Sequence, residues 1–354
     1  MIKVLIVDDS ALVRKVLSRI FAEAPDIEVV GTAADPLFAR DKIKKLNPDV
    51  LTLDVEMPRM DGLTFLRNLM RLRPMPVVMI SSVTTQGAVQ TLTALELGAV
   101  DFLPKPQMGD GGSLQSYADE IIAKVRMAAR ARVRPLVEAR KQPATAVSGN
   151  RTAMPGNAVT QPFSPGQSKL IALGASTGGT EAIKDVVGGL AATSPAMVVS
   201  QHLPAAFSES FARHVHQATP MNACLTRDGQ EIMPGNIYIA PGDRHLLVAR
   251  QGQKLVCRLQ DGPLVNRHKP AVDVMFRSVA ENVGSRVIGV LLTGIGADGA
   301  KGMQEMHAAG AATVIQDEAS SVVWGMPGEA FKLGCVNHVL ALDQIAGKIT
   351  TLAG

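Results

Sequence analysis

The chain has 354 residues, of which 46% are hydrophobic, 19% are charged and only 3% are aromatic. This length favours two domains, and the composition is typical of globular domains with well-filled cores. So few aromatic side chains argue against a surface that stacks nucleic-acid bases, and a formal net charge of +4 does not by itself indicate DNA binding.

The cysteines and the N-terminus indicate the cellular setting. Cys224, Cys257 and Cys335 lie far apart, with neither zinc nor redox spacing, and an odd number argues against a disulfide framework. The N-terminal MIKVLIVDDS reaches two aspartates too early for a signal peptide, and no apolar run approaches the length of a membrane span. We therefore expect a reduced, cytoplasmic protein without membrane insertion, and we expect a monomer.

Residues 1–125 alternate between strand and helix patterns. Continuous apolar runs such as IKVLIV predict buried parallel strands, and a helical stretch beginning at Ala11 follows the first of them. Five strands that alternate with helices predict a doubly wound α/β domain with a five-stranded parallel sheet.

Residues 126–168 differ in composition, because they are rich in Pro, Gly, Ser, Thr and basic residues. This composition predicts a linker whose first residues could still be helical. Much of the positive charge of the chain lies here, and we interpret it as a solvated tether rather than a nucleic-acid patch. A role of this segment in docking a partner or the other domain is left open.

Residues 169–354 predict a second doubly wound α/β domain. Within it, the stretch GNIYIAPGDRHLLVARQGQKLVCRL alternates short strands with turn signals, which indicates an antiparallel β-hairpin insert. Helices are predicted to begin near six positions: Thr180, Ala205, Ala271, Asp298, Pro327 and Asp343.

Charged side chains follow three strands of the first domain. Asp8 and Asp9 follow the first strand, and Asp54 follows the third. Lys105 follows the fifth. Because the carboxyl ends of parallel strands share one edge, these groups should converge there, where carboxylate oxygens suit Mg²⁺ and can attack a phosphoryl group. The plainer alternative, helix-capping acids with a structural ion pair, fits less well with their order on successive strand ends.

This domain resembles the receiver domain of two-component response regulators. The resemblance is carried by four motifs and covers nearly all of residues 1–125: VDDS (7–10), LDVEMPRMDG (53–62), ISS (80–82) and DFLPKP (101–106). It implies a flavodoxin-like fold with Asp54 as the phospho-acceptor.

The same resemblance implies a set of supporting residues. Asp8 and Asp9 would support Mg²⁺ beside Asp54, and Glu56 would offer its backbone carbonyl. Three further residues would change position on phosphorylation: Ser81 as the switch hydroxyl, Phe102 as the rotating aromatic and Lys105 as the partner of the phosphate.

The sequence GASTGGTEA (174–182) lies between an apolar strand and a helix pattern, and two chemistries fit it. A glycine-rich phosphate cradle is one, but the dinucleotide fingerprint needs Gly where Ser176 stands, and no ribose-binding acid follows the next strand. A nucleophile is the other, because a serine on a sharp strand-to-helix turn exposes its Oγ at the sheet edge.

Two further residues favour the nucleophile. His202 ends the next strand, and Asp298 follows the strand RVIGVLLTG (286–294), so both should lie at the edge that carries Ser176. Taken singly, the three could be a helix cap, a polar strand end and an N-cap. Together they favour a triad, in an order Ser, His, Asp that differs from that of α/β-hydrolases.

The second domain resembles the catalytic domain of chemotaxis protein-glutamate methylesterases. The resemblance covers, with the receiver, essentially the whole chain, and it is carried by GASTGG, QHLP, IAPGDRH, GPLVNRHKPAVDVMF, LLTGIGADGAKGM and SSVVWGMPGEA. It implies removal of methyl esters from glutamyl side chains of chemoreceptors with release of methanol, and in many members deamidation of receptor glutamines. The implied partners are methylated chemoreceptors and a chemotaxis histidine kinase, with no cofactor for the ester reaction.

Residue roles follow from the same resemblance. Ser176 would be the nucleophile, His202 the general base and acid, and Asp298 the acid that orients it. Thr177 and the backbone around Ile295 would help to stabilise the oxyanion, and the family often has methionine where Ile295 stands.

Some interpretations stay open at the level of sequence. Asn266, Arg267 and His268 could line a substrate cleft or simply form a hydrogen-bonded loop. A receiver joined to a hydrolase predicts that the unphosphorylated receiver covers the Ser176 edge. A receiver-controlled nucleotide-binding protein is the rival class, whereas a DNA-binding regulator is disfavoured because no helix-turn-helix pattern occurs.

Overall fold

The computed structural model of the chain describes residues 1–57, 59–81, 84–106, 111–131, 133 and 169–354. The predicted linker, 126–168, lies mostly outside these residues. No helix formed by the described residues is both long and apolar enough to cross a lipid bilayer.

The N-terminal part alternates strands and helices, as its apolar pattern predicts. Its elements are β1 (Ile2–Val7), α1 (Ala11–Ala22), β2 (Ile27–Ala33), α2 (Pro36–Leu46), β3 (Val50–Asp54), α3 (Gly62–Leu72), β4 (Val77–Ser81), α4 (Thr85–Glu96), β5 (Asp101–Pro104) and α5 (Gly111–Ala128). The five strands pair in the order β2-β1-β3-β4-β5, and every pairing is parallel. This confirms the predicted five-stranded, doubly wound sheet.

Local signals in the sequence account for these elements. All residues of β3 and β4 are buried, which fits strands covered by helices on both faces. Ser10, Asp35 and Asp61 begin α1, α2 and α3, and each accepts a backbone N–H of the first turn through its side chain.

The C-terminal part contains a second, larger parallel sheet. Its elements are β6 (Leu170–Ala175), α6 (Gly179–Gly188), β7 (Ala196–Gln201), α7 (Ala205–Ala218), β8 (Asn222–Leu225), β9 (Asn236–Ile239), β10 (His245–Gln251), β11 (Lys254–Gln260), α8 (Val272–Asn282), β12 (Val287–Leu291), α9 (Ala300–Ala308), β13 (Ala312–Gln316), α10 (Met326–Lys332), β14 (His338–Leu340) and α11 (Leu342–Ala353). Seven strands pair in the order β14-β13-β12-β6-β7-β9-β8, all parallel.

The antiparallel hairpin is present, although it is shorter than the sequence suggests. Strands β10 and β11 pair antiparallel from His245↔Gln260 to Gln251↔Lys254. Strand β9, expected within the insert, instead joins the main sheet and runs parallel to β7. Strands β8 and β14 were not predicted, because segments of four and three residues at the two edges of the sheet carry too little apolar pattern.

Each sheet has a position where the chain reverses its direction of winding. In the first sheet β1 lies between β2 and β3, and in the second β6 lies between β12 and β7. Ligands of open α/β sheets bind beyond the carboxyl ends of the strands at such positions. The fold therefore directs attention to the residues after β1 and after β6.

The two parts contact each other through α4, β5 and α5 of the N-terminal part. The rings of Phe102 and Phe207 lie 4.5 Å apart, and Lys184 Nζ is 2.6 Å from a carboxylate oxygen of Glu96. Side chains of the loops that follow β12 and β13 pack on the core beside α5: Ile295, Val322 and Val323.

Candidate active site and receiver pocket

Ser176 follows β6 on the turn that leads into α6. Ser176 is only 9% exposed. The turn around it depends on close packing that excludes larger side chains. Gly178 has a φ of 75°, and a Cβ there would lie 2.6 Å from Val322. Gly294 approaches so closely that its Cβ would lie 2.8 Å from that of Ser176. Glycine is therefore required at these positions by the tight turn and its packing. A bound phosphate is not needed to explain why glycines occur there.

His202 follows β7 and lies between Ser176 and Asp298. Its Nδ1 is 3.1 Å from Ser176 Oγ, and its Nε2 is 2.8 Å from Asp298 Oδ2. With Nε2–H donating to the carboxylate, the lone pair of Nδ1 faces the serine hydroxyl. In serine proteases of the chymotrypsin type, Nε2 faces the serine and Nδ1 faces the aspartate. The order of hydroxyl, imidazole and carboxylate is nevertheless the same.

Asp298 is 2% exposed and fully hydrogen-bonded. Besides His202, it accepts the backbone N–H groups of Val272 at 2.6 Å and Asp273 at 3.1 Å, and the side-chain amide of Asn266 at 2.7 Å. Burial alone would raise the pKa of Asp298, but these hydrogen bonds, first that of His202, hold the pKa below its usual value. Asp298 is therefore an anion at neutral pH, as an orienting carboxylate must be.

Gln201 supports the serine turn, a role that the sequence did not reveal. Its Nε2 donates to the backbone carbonyls of Ser176, at 2.9 Å, and of His202, at 3.2 Å. The only signal was a polar residue inside an apolar strand, which predicts a buried hydrogen bond but not its partner.

The receiver part gathers its acidic side chains at the carboxyl ends of β1 and β3. Carboxylate oxygens of Asp8, Asp9 and Asp54 lie within 4.8 Å of one another. Lys105, after β5, donates to Asp54 Oδ2 at 2.7 Å and lies 3.9 Å from Asp8. The backbone N–H of Glu56 donates to Asp54 Oδ1 at 3.2 Å.

This arrangement of carboxylates fits a divalent cation. Asp8 Oδ2 is buried and has no hydrogen-bond partner among the described residues. Burial, then the charge of Asp54, raises the pKa of Asp8 to about 6, and burial also raises the pKa of Asp54. A hard cation with oxygen ligands would satisfy the orphaned oxygen and offset this repulsion.

The other predicted switch residues lie nearby or at the contact between the two parts. Ser81 is buried at the end of β4, with its hydroxyl 3.5 Å from the carbonyl of Gly87. Phe102 points to the C-terminal part, where it meets Phe207.

Comparison with known proteins gives a consistent result over the whole chain. The family described as CheB methylesterase matches residues 171–349, and the response regulator receiver domain family matches residues 4–111. A protein-glutamate methylesterase/protein-glutamine glutaminase 2 of Xanthomonas oryzae pv. oryzae is 54% identical over 99% of this chain and 97% of its own. This chain belongs to the CheB methylesterase family.

Further similarities agree. A protein-glutamate methylesterase/protein-glutamine glutaminase of Hydrogenovibrio crunogenus is 52% identical over 99% of this chain and 98% of its own. The crystal structure of the CheB methylesterase catalytic domain of Thermotoga maritima is 34% identical, with a TM-score of 0.52, and covers 52% of this chain and 99% of that domain.

In this CheB methylesterase family member, the receiver contacts the residue next to Ser176. The hydroxyl of Thr177, which is 5% exposed, donates to the carboxylate of Asp101 at the start of β5. Asp101 also accepts Lys124 Nζ at 3.0 Å and the N–H of Phe102 at 2.7 Å. We call Asp101, Lys124 and Thr177 the latch. A single acid in the apolar stretch AVDFLP was the only sign of it at the level of sequence.

The two predicted oxyanion residues are thus both in contact with the receiver. Thr177 uses its hydroxyl in the latch, and the Ile295 side chain packs on the receiver core. Burial, then the neighbouring His202, lowers the pKa of His268, and Lys124 of the receiver adds a smaller effect in the same direction. In this arrangement the receiver covers the edge that carries Ser176.

Proposed function

We propose that the protein is a phosphorylation-regulated protein-glutamate methylesterase that hydrolyses γ-methyl esters on chemoreceptors and releases methanol. The observation that carries the proposal is the continuous chain from Ser176 Oγ through His202 to Asp298, at 3.1 and 2.8 Å. The names of the relatives from Xanthomonas and Hydrogenovibrio support the substrate class.

Acylation begins with the serine hydroxyl. His202 Nδ1 takes the Ser176 proton as Oγ bonds to the ester carbonyl carbon, and a tetrahedral oxyanion forms. The C–OCH₃ bond then breaks, the methoxy oxygen takes the proton from His202, and methanol leaves. Asp298 holds the imidazole in the required tautomer and stabilises its protonated form.

Deacylation repeats the sequence with water. His202 removes a proton from a water molecule that attacks the glutamyl–serine ester, and the proton then returns to Ser176 Oγ as the bond breaks. The products are a receptor glutamate and the free enzyme.

Two features of the site accelerate both steps. General base catalysis contributes roughly 10²–10⁴-fold, and oxyanion donors add about 10²–10³-fold for each donor. Thr177 and the backbone near Ile295 are our candidates for these donors.

The same residues suit the hydrolysis of a glutamine side-chain amide. Ammonia is a poorer leaving group than methanol, so protonation of the departing nitrogen by His202 matters more in this reaction. Both named relatives are called protein-glutamine glutaminases as well, which supports deamidation as a second reaction of the site.

Regulation acts through Asp54, the proposed phospho-acceptor, with a chemotaxis histidine kinase as the phosphodonor. Asp8, Asp9 and Asp54, with the carbonyl of Glu56, would hold Mg²⁺, which would supply positive charge that favours phosphoryl transfer. Lys105 gives up its bond with Asp54 to pair with the phosphate, and Ser81 moves toward it. A phosphoryl group adds about 1.5 to 2 negative charges at neutral pH.

The latch connects this event to catalysis. Phe102 follows Asp101 directly and packs on Phe207, so a movement of Phe102 toward the phosphorylated pocket carries Asp101 with it. Loss of the latch frees the Thr177 hydroxyl for the oxyanion and uncovers Ser176. Turning a 1:99 open to closed ratio into 99:1 requires about 5.5 kcal/mol, so receptor docking is expected to add to phosphorylation.

Methanol release tests the proposal. Wild-type protein and Ser176→Ala are mixed with a chemoreceptor cytoplasmic fragment that carries glutamate methyl esters. The wild type should release methanol, and the variant should be slower by at least about 10⁴-fold, because no other hydroxyl takes the place of Oγ. A Ser176→Ala variant that retains the full rate would contradict the triad. Absence of methanol release from the wild type would favour the nucleotide-binding alternative.

Autoinhibition has its own test, the activity of residues 169–354 without the receiver. The isolated catalytic domain of the Thermotoga relative was crystallised by itself, which supports this experiment. We expect a faster reaction than that of the unphosphorylated full chain. An equal or slower reaction would contradict simple autoinhibition by the receiver. That the protein is a cytoplasmic monomer remains a prediction from the sequence.

A further inference from the structure

The turn that connects β11 to α8 has an unfavourable backbone in the direct vicinity of the triad. Val265 and His268 bond to each other's backbone in both directions, at 3.1 and 2.9 Å. The two residues between them, Asn266 and Arg267, have φ values of 52° and 70°. Such a turn favours Asn followed by Gly, and an arginine with positive φ costs about 1–2 kcal/mol. Other contacts must therefore hold this turn.

One such contact is made by the side chain of Asn266. Its amide nitrogen donates to Asp298 Oδ1 and to Asp273 Oδ2, both at 2.7 Å. Asp273 is in turn fixed by the backbone N–H of Gly302, at 2.7 Å to Oδ1. Asn266 thus connects the orienting acid of the triad to a second buried acid that is anchored on α9.

The other contact is made by the ring of His268. It stacks on the ring of His202 with the centroids 3.7 Å apart and an angle of 14° between the planes. This nearly parallel arrangement restricts the plane in which His202 can present Nδ1 to the serine.

His268 is neutral mainly because it is buried. Burial, followed by the proximity of His202, lowers the pKa of His268 to about 3. The other charged groups that act on it are Asp298, Lys124 and Arg267, which come from three different segments. A neutral ring does not oppose the positive charge that His202 acquires during the reaction, as a protonated ring would.

We propose that Asn266 and His268 are positioning residues that hold the His202–Asp298 pair from its two ends, Asn266 on the carboxylate and His268 on the imidazole. In this role both act through the triad, by their contacts with Asp298 and His202. The inference rests on the proposed function of Ser176, His202 and Asp298. It also explains the strained turn. This backbone places the Asn266 amide against Asp298 and the His268 ring against His202.

The experiment compares four variants of the full chain, with methanol release from a methylated receptor fragment as the activity. Asn266→Gly removes the amide while a glycine still accepts the positive φ, and His268→Ala removes the stacked ring. His268→Phe restores a ring, and Asp261→Ala, which removes the exposed ion pair with Lys269, controls for loosening of the loop. Activity is separated into kcat and KM for each protein.

We expect kcat of Asn266→Gly to fall by about 10-fold with little change in KM, as for loss of a hydrogen bond to a charged group. His268→Ala should lose about 3- to 10-fold in kcat, and His268→Phe should recover most of it. Asp261→Ala should stay within about twofold of the wild type, since exposed ion pairs contribute little.

A proton NMR measurement separates positioning from mere stabilisation of the loop. The Nε2–H of His202, bonded to Asp298, should give a low-field resonance that shifts or broadens in Asn266→Gly. A kcat within twofold of the wild type in Asn266→Gly, or a resonance that does not change, overturns the role of Asn266. A His268→Phe variant no more active than His268→Ala overturns that of His268.

The outcome for this inference is distinguishable from the outcome for the function itself. The Nε2–H resonance can be recorded in Ser176→Ala, where no reaction occurs, so the contact of Asn266 is measured independently of catalysis. If Ser176→Ala keeps its activity, the proposed function fails. If Ser176→Ala is inactive but Asn266→Gly is fully active, only the positioning role fails.

Discussion

The two sheets carry their candidate functional groups at equivalent edges, but the charges at the two edges are balanced differently. At the receiver edge, a buried oxygen of Asp8 has no hydrogen-bond partner among the described residues, and burial raises the pKa of Asp8 to about 6. At the catalytic edge, Asp298 is equally buried, yet hydrogen bonds lower its pKa. A cation would satisfy the orphaned oxygen at the first edge, whereas the carboxylate at the second edge already has its hydrogen-bond partners.

This difference assigns the two edges different tasks. A pocket with unbalanced charge responds strongly to an added charge, which suits a switch. A hydrogen-bonded triad is already arranged for reaction, which suits catalysis that needs only access. The latch between Asp101 and Thr177 is the place where the structure joins the two.

The largest effect is expected from a substitution that disrupts the triad at the catalytic edge. Asp298→Asn should lower kcat for methanol release by about 10⁴-fold, because an amide would favour the wrong tautomer of His202. Thermal unfolding of the same preparation checks that the variant is folded. A loss of less than about tenfold would mean that Asp298 does not orient His202 during the reaction.

The next largest effect is expected from a substitution that prevents phosphorylation at the receiver edge. Asp54→Asn should abolish phosphorylation by a small-molecule donor with Mg²⁺, and with it a stimulation that we expect to be about 5- to 150-fold. The measurement is methanol release with and without acetyl phosphate. If Asp54→Asn is stimulated like the wild type, phosphorylation occurs elsewhere.

A smaller effect is expected when the latch is weakened, and it can be compared with the loss of another contact at the same interface. Asp101→Asn weakens the bond to Thr177 and should raise the unstimulated rate by about 3- to 10-fold. Glu96→Gln removes the ion pair with Lys184 at the same interface and should change the rate by less than about twofold, because such pairs contribute little when exposed. Equal effects of the two variants would deny the latch a special role.

The smallest effect is one of stability and pH. The pKa of His268 falls from 6.5 to about 3 on folding, so the unfolded chain binds this proton more readily. Above pH 6.5 the ring is neutral in both the folded and the unfolded state. As the pH falls from 6.5 toward 3, only the unfolded chain takes up this proton, so the fold loses at most about 1.4 kcal/mol of stability per pH unit.

His268→Phe cannot take up this proton. Its free energy of unfolding in urea should therefore decline less than that of the wild type between pH 7.5 and 5.0. Parallel declines in the two proteins would show that His268 is not held neutral by the fold.

The sequence was sufficient for those features that depend on strand ends. Ser176, His202 and Asp298 were expected together because parallel strands bring their carboxyl ends to one edge, and the same reasoning gathered Asp8, Asp9 and Asp54. The structure brings both groups together, while their roles remain proposals.

Features that depend on packing between distant segments were not predictable. The latch joins Asp101 to Thr177 across two domains, and nothing in a strand pattern specifies how two domains dock. The stacking of His268 on His202 depends on a turn with positive φ at Arg267, which no turn signal in the sequence indicated.

Coupling of the two edges through the latch is tested most directly by methanol release from a methylated receptor fragment, with and without acetyl phosphate and Mg²⁺, in the wild type and in Asp101→Asn. If phosphorylation acts by opening the latch, the wild type is stimulated, and in Asp101→Asn the stimulation shrinks by the factor by which the unstimulated rate has risen. A variant whose unstimulated rate equals that of the wild type, with undiminished stimulation, would contradict the coupling of the two edges through Asp101 and Thr177.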